Sequence, residues 1–278
     1  MNKGGFSLSG RTINVLAKRD LISTLHGWGI YIATFISFLA SSFILKNYLD
    51  SIRENNISIS SDPLNYPLFI SVVIVSFYLA ILSAISISRE KEQGTLEVLF
   101  YGPVSSPSFI LAKYIKNMLT YLIMVGLFFV YFSGVSGLTN LGISYGLIEA
   151  ILFSIFFASC MISFGLLISS LTERVRSSIL WLVGIFLAFL AIQISYTILL
   201  GIPEESMSSP LIYLGNTLSV ISKGIGWISP FSYLTRGMDA ISLGNLRIYG
   251  LNIVYCVIYS LILLILSVII FEKKGVRG

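Results

Sequence analysis

Three carboxylates, Glu90, Glu92 and Glu97, fall in the stretch Arg89-Glu90-Lys91-Glu92-Gln93-Gly94-Thr95-Leu96-Glu97-Val98-Leu99. Acidic groups beside an apolar face suit docking into a groove on a partner protein. They do not suit acid–base catalysis, since no clustered nucleophile, metal site or partner base accompanies them. His26 is the only histidine and stands at the edge of the first apolar run, so it is not expected to ligate a metal. Cys160 and Cys256 both fall inside apolar runs, where a thiol packs as a small hydrophobe rather than joining a disulfide framework. The sequence has no G-x-x-x-x-G-K-[ST] phosphate loop, so the chain is not expected to be an enzyme that hydrolyses ATP by itself.

Two more polar groups stand inside apolar runs. Glu149 sits one or two turns into the fourth run; an intramembrane carboxylate is a functional candidate by default, but snorkelling or pairing with an outer-loop base is the simpler reading here. Gln193 shares an arc with Phe186, Phe189 and Tyr196, at spacings of three, four and three. That stripe faces either a central pathway suited to lipid-like or amphipathic cargo, or lipid and neighbouring helices. Gly184, Ala188, Ala191 and Ser195 form a second stripe whose small side chains let helices approach closely.

The elements that position these residues follow from composition. The chain is 55% hydrophobic and 11% charged, whereas soluble domains carry about a quarter charged residues. Six stretches supply the ~20 apolar residues that a spanning helix needs: Trp28–Leu45, Leu68–Ile87, Met118–Leu138, Ile143–Leu171, Ser178–Leu200 and Leu251–Phe271. They are continuously apolar rather than alternating, which predicts helices and excludes a barrel. The first begins only after residue 27 and continues to Leu45, so it reads as a span and not as a signal peptide. With the N-terminus inside, thirteen of the 18 Lys and Arg residues fall on the cytoplasmic side. This positive-inside bias predicts a multi-pass cell-membrane protein with both termini cytoplasmic. The net charge of +5 expresses the same asymmetry towards an anionic inner leaflet, not nucleic-acid binding.

Residues 10–27 are too polar to span. Ile13, Leu16, Ala17 and Leu21 fall on one arc and Arg11, Lys18 and Arg19 on another, which predicts an interfacial elbow helix or a plain basic anchor, with Asn14 and Asp20 blurring the pattern. From Arg89 to Lys116 the chain spends 28 residues on a connection, longer than the usual helix–helix link. Gly94 is expected to end one helix and Thr95 to N-cap a short transverse one, with Leu96, Leu99 and Phe100 on one face. Gly102-Pro103 should stop that helix, and Ser106-Pro107 should start the next. Residues 201–250 form a long outer region rich in apolar and aromatic side chains, expected to hold short re-entrant helices. The triplet Asn56-Ile57-Ser58 reads as a chance sequon.

The motif Glu90-x-Glu92-x-Gly94-Thr95-Leu96-Glu97-x-Leu99, followed by Pro103-Val104-Ser105 and Lys113, resembles the signature of type-2 ABC-exporter permeases. The resemblance is closest to the prokaryotic branch that includes gliding-motility and copper-site-maturation permeases. Ser229-Pro230-Phe231, followed by Arg236-Gly237 and Asp239, is similar to that branch's second signature and marks outer-gate candidates. Gln93 departs from the pattern, where a basic residue is common, as does Tyr101-Gly102 before the proline. The resemblance implies an all-α, single-domain permease over residues 1–278. A cytoplasmic ABC ATPase subunit, carrying the ATP and Mg, would dock on the short helix. A second permease copy, identical or not, would complete the pathway, with the second and fifth spans at the dimer centre.

Other readings make different demands. A secondary transporter or channel needs ion-binding groups or broken helices near the midplane, and only Gln193 approaches that. A membrane enzyme needs a clustered site, and none is visible. A non-transporting assembly component using the same ATPase coupling remains open.

Overall fold

In the computed structural model, residues 10–55, 63–101, 104–139, 141–200 and 209–274 are described, and their regular structure is all helical. The helices are α1 (Gly10–Leu25), α2 (Trp28–Asn55), α3 (Asn65–Glu92), α4 (Thr95–Phe100), α5 (Ser106–Thr139), α6 (Tyr145–Leu171), α7 (Val175–Leu200), α8 (Ser209–Ile228), α9 (Pro230–Ser242) and α10 (Leu246–Lys274). Of these, α2, α3, α5, α6, α7 and α10 are the six helices long and apolar enough to cross a membrane. Several outrun their apolar cores. α3 continues past Ile87 to Glu92, and α5 starts at Ser106, well ahead of Met118. Hydropathy marks only the part of a helix that suits hydrocarbon, while the backbone ladder runs on through Lys113, Lys116 and Asn117. The expected long connection therefore shrinks to residues 93–105 and carries only α4. The sequon at 56–58 and Gly102-Pro103 lie outside the described residues.

Helix α6 is the axle. Of its most apolar stretch 78% is buried inside the protein, against 17% for α7. It packs along α3 and α10 and also meets α5, α7 and α9. The α3–α6 approach is close because Gly165 has no Cβ. One built there would collide with the Ala80 carbonyl oxygen and come within 2.7 Å of Ser83 Cβ. Small residues at such crossings replace the hydrophobic drive that lipid cannot supply. Polar side chains then bond across the dry seams. Asn117 Nδ2 donates to Ser83 Oγ at 2.7 Å, and Tyr114 and Ser159 hydroxyls pair at 2.7 Å. Ser169 Oγ accepts from the Ile87 and Ser88 amides at 3.0 Å each. Cys160 Sγ donates to the Cys256 carbonyl at 3.4 Å, and both thiols are free and buried.

α1 lies along α5 with Ala17 buried between them. At the other end of the bundle, α8 packs on α7 and α9, and α9 packs on α6 and α10. Where short helices were expected, α8 runs unbroken for 20 residues through Gly215, Gly224 and Gly226. Ser229 separates it from α9, whose first helical residue is Pro230. The α8–α9 corner is pinned by Tyr233 OH, donating to the Trp227 carbonyl at 2.7 Å, and by Tyr259 OH, donating to the Ile228 carbonyl at 2.6 Å. These bonds satisfy carbonyls that the helix end would otherwise orphan.

Candidate functional site

Three consecutive residues at the end of α3 each reach a different helix. Glu90 pairs with Lys113 of α5, which also bonds Asp20 of α1 at 2.6 Å. Lys91 Nζ donates to the Ser170 and Thr172 carbonyls at the end of α6, at 2.9 and 3.3 Å. Glu92 Oε2 accepts from the Val175 amide, the first residue of α7, at 3.0 Å. A cation on a helix C-terminus and a carboxylate on an N-terminus both suit the helix dipole. The end of α3 is thereby tied to α1, α5, α6 and α7 at once.

The Lys113 knot is largely out of water: side-chain exposure is 8% for Lys113, 17% for Asp20 and 16% for Glu90. Burial disfavours ionisation of Asp20, but Lys113 and Arg19 outweigh it and hold the carboxyl below its usual value. Asp20 was no site candidate from sequence. Its place on the Ile13–Ala17–Leu21 side of an otherwise basic helix was the available signal, and the structure turns that side onto α5.

Gly94 ends α3 in the left-handed region with φ +66°, and its amide donates to the Lys91 carbonyl at 3.1 Å. Thr95 does not cap α4; its hydroxyl turns back to donate to the Glu90 carbonyl at 3.3 Å. α4 itself is clamped to the bundle. Leu96 is buried, Leu99 and Phe100 are half-buried, and Phe100 packs against Phe109 of α5 and Phe271 of α10 at ring separations of 6.1 and 5.8 Å. Lys91 and Lys113 stand over the Phe271 and Phe109 rings at 5.7 and 5.3 Å. The expected apolar docking face thus points inward, because a six-residue helix has no other means of holding its place. Glu92, Gln93, Gly94, Thr95 and Tyr101 remain exposed. The Glu97 side chain lies outside the described residues. Ser105 rather than Ser106 precedes α5, and its hydroxyl donates to Ser108 Oγ at 2.8 Å.

At the opposite end, the aromatic stripe of α7 divides. Phe186 is buried among Phe164 (5.2 Å), Phe231 (5.2 Å) and Phe77 (5.7 Å), so it belongs to the core of the chain and not to an open lining. Phe189 and Tyr196 are half-buried and Gln193 is exposed. The small-residue stripe, Gly184, Ala188, Ala191 and Ser195, is exposed at all four positions. Gln193 meets α8 and α9 at a cavity of about 230 Å³, lined also by Ser222, Lys223, Ser232 and Arg236. The Arg236 guanidinium carbon stands 5.1 Å over the Trp227 ring. Gly226 admits it: a Cβ there would sit 3.0 Å from Arg236 Nη2. Of the other gate candidates, Ser229 and Pro230 are buried at the α8–α9 corner, Phe231 is half-buried and Asp239 is exposed. The structure brings Gln193 and Arg236 together, which no local sequence pattern indicated, and leaves Asp239 off the cavity wall. Glu149 is half-buried, and its backbone carbonyl accepts from Tyr249 OH at 3.1 Å. Among the described residues, no group of His, Cys, Asp or Glu is placed to hold a metal ion.

The family model described as ABC-2 family transporter protein matches residues 15–276. No curated protein matches the chain.

Proposed function

The chain belongs to the ABC-2 family of transporter proteins, and on that premise we propose that it is the membrane-spanning permease subunit of an ATP-driven exporter, worked by a separate ATPase. A permease of an ABC transporter with six apolar helices is a multi-pass membrane protein. The α4 end is cytoplasmic, in keeping with the excess of Lys and Arg there. The ATPase docks on the exposed corner formed by Glu92, Gln93, Gly94, Thr95 and Tyr101. Leu96, Leu99 and Phe100 hold that corner in place from behind. ATP and Mg belong to the partner, and a second permease, joined along the exposed face of α7, completes the pathway. Export rests on the motif's resemblance to the prokaryotic exporter branch.

The observation that carries this reading is the triple attachment at the end of α3. A push on α4 passes through Glu90, Lys91 and Glu92 into α5, α6 and α7 together. Rigid elements sharing one knot transmit a domain motion without each needing its own contact with the motor. Chemistry for ATP hydrolysis is not needed in the chain.

The test is recovery of the tagged chain from its native membranes in a gentle detergent. A stoichiometric protein bearing a phosphate loop, with ATPase activity, is the expected companion. Recovery of the chain alone, or only with itself, would overturn the reading and favour a secondary carrier.

A further inference from the structure

Among the described residues, the cavity between α7, α8 and α9 is lined by two cations and no anion. Lys223 and Arg236 both line it, and neither forms an ion pair with a carboxylate among the described residues. Asp239 follows Arg236 by three residues, yet it neither lines the cavity nor pairs with the guanidinium. The remaining polar lining includes Gln193, Ser222 and Ser232, while the Thr235 hydroxyl donates to the Phe231 and Ser232 carbonyls. At about 230 Å³ the space is many times the ~15 Å³ that one water needs.

Arg236 is held for use. Its guanidinium carbon stands 5.1 Å over the Trp227 ring and 6.0 Å from the Tyr233 ring, and Gly226 gives it room. The planar guanidinium fork matches phosphate oxygens. Two cations with no carboxylate paired to them among the described residues favour an anion over a sugar or an amine. The apolar surroundings then select an amphiphile. Ile192 and Ile225 line the same cavity. Acyl chains can lie there while the headgroup sits between the cations.

We propose that this cavity is a binding site for the phosphate headgroup of an anionic amphiphile. The proposal deepens the permease reading, since such a site at the outer end of α7 names an amphiphilic phosphate as cargo or as resident lipid. Its binding test needs no ATPase, so the two can fail separately.

Trp227 provides the readout. The chain has three tryptophans, and Trp28→Phe with Trp181→Phe leaves Trp227 alone beneath Arg236. The full chain is held in a sugar-headgroup detergent, which contains no phosphate, and titrated with phosphatidylglycerol, diacylglycerol or inorganic phosphate. Phosphatidylglycerol should change Trp227 emission saturably and diacylglycerol should not. Arg236→Gln should weaken binding by about tenfold, the loss expected for a hydrogen-bonded charge. Lys223→Gln, at an exposed position, should fold normally and weaken binding severalfold. Arg247→Gln, at an exposed cation off the cavity, should leave it unchanged. Saturation by inorganic phosphate at similar affinity would support the site with the free anion as occupant; saturation by phosphatidylglycerol alone assigns the lipid. Equal response to diacylglycerol, equal loss in Arg247→Gln, or no change in either Arg236→Gln or Lys223→Gln overturns the proposal.

Discussion

Replacing Lys113 by methionine removes the centre of the knot that joins α1, α3 and α5. Lys113 is 8% exposed and faces two carboxylates, Asp20 and Glu90, that are 17% and 16% exposed. Breaking a buried ion pair by deleting one partner costs about 3–5 kcal/mol, because the surviving charge is left desolvated. Here two charges survive and repel one another, so Lys113→Met should fall in the upper part of that range at neutral pH. Making all three positions uncharged, with Asp20→Asn, Lys113→Met and Glu90→Gln, should recover most of the loss, since well-packed neutral groups replace buried ion pairs at little cost. The pH dependence has a definite sign. In the wild type Asp20 is held below its ordinary value of 3.8, so its contribution is present above that value and is lost as pH falls through the folded one. In Lys113→Met, Asp20 keeps only Arg19, so its value rises relative to the wild type, the variant loses less stability on acidification and the gap narrows. Reversible unfolding of the purified chain in mixed micelles measures both effects. A Lys113→Met cost below about 1 kcal/mol, the range of a surface pair, would refute the reasoning. A triple variant no more stable than the single one would do the same.

Three other outcomes are expected. Gly94→Ala has open space at its Cβ but a φ of +66°, so it should cost about 1–2 kcal/mol by backbone strain alone, read as a lowered midpoint of unfolding, and should weaken retention of the ATPase. Gly165→Ala should force α3 and α6 apart against the Ala80 carbonyl, costing at least the ~1–3 kcal/mol of an overpacked core in the same unfolding assay. Phe271 is fully buried between Phe100 and Phe109; Phe271→Ala should cost about 3–5 kcal/mol and release α4, seen as faster labelling of a cysteine placed at Leu96.

How far the sequence carried this account depends on whether a feature is local. The spans were legible because about twenty apolar residues leave the backbone few alternatives. Their ends were not, since α5 runs through Lys113 and Lys116 on helical hydrogen bonds that hydropathy does not register. A short helix at Thr95–Phe100 was legible from Gly94 and the Leu96–Leu99–Phe100 spacing. Which way that face points was not, because its cover, Phe109 and Phe271, comes from α5 and from the far end of the chain. The same limit hid the Glu90–Lys113–Asp20 knot, whose members are separated by 23 and 93 positions. Phe186 was grouped with Gln193 by spacing alone. The structure separates them, one in the core with Phe164 and Phe231, the other at the cavity with Arg236.

The central claim, that an ATPase bears on the exposed α4 corner, is tested most directly by photo-crosslinking from single positions of the full chain in native membranes. Crosslinkers at Gln93 and Tyr101, both exposed beside α4, should capture one protein bearing a phosphate loop, and a crosslinker at Trp227, at the opposite end, should not. Capture of such a protein from Trp227 instead, or of none from either α4 position while the chain remains folded, would contradict the account.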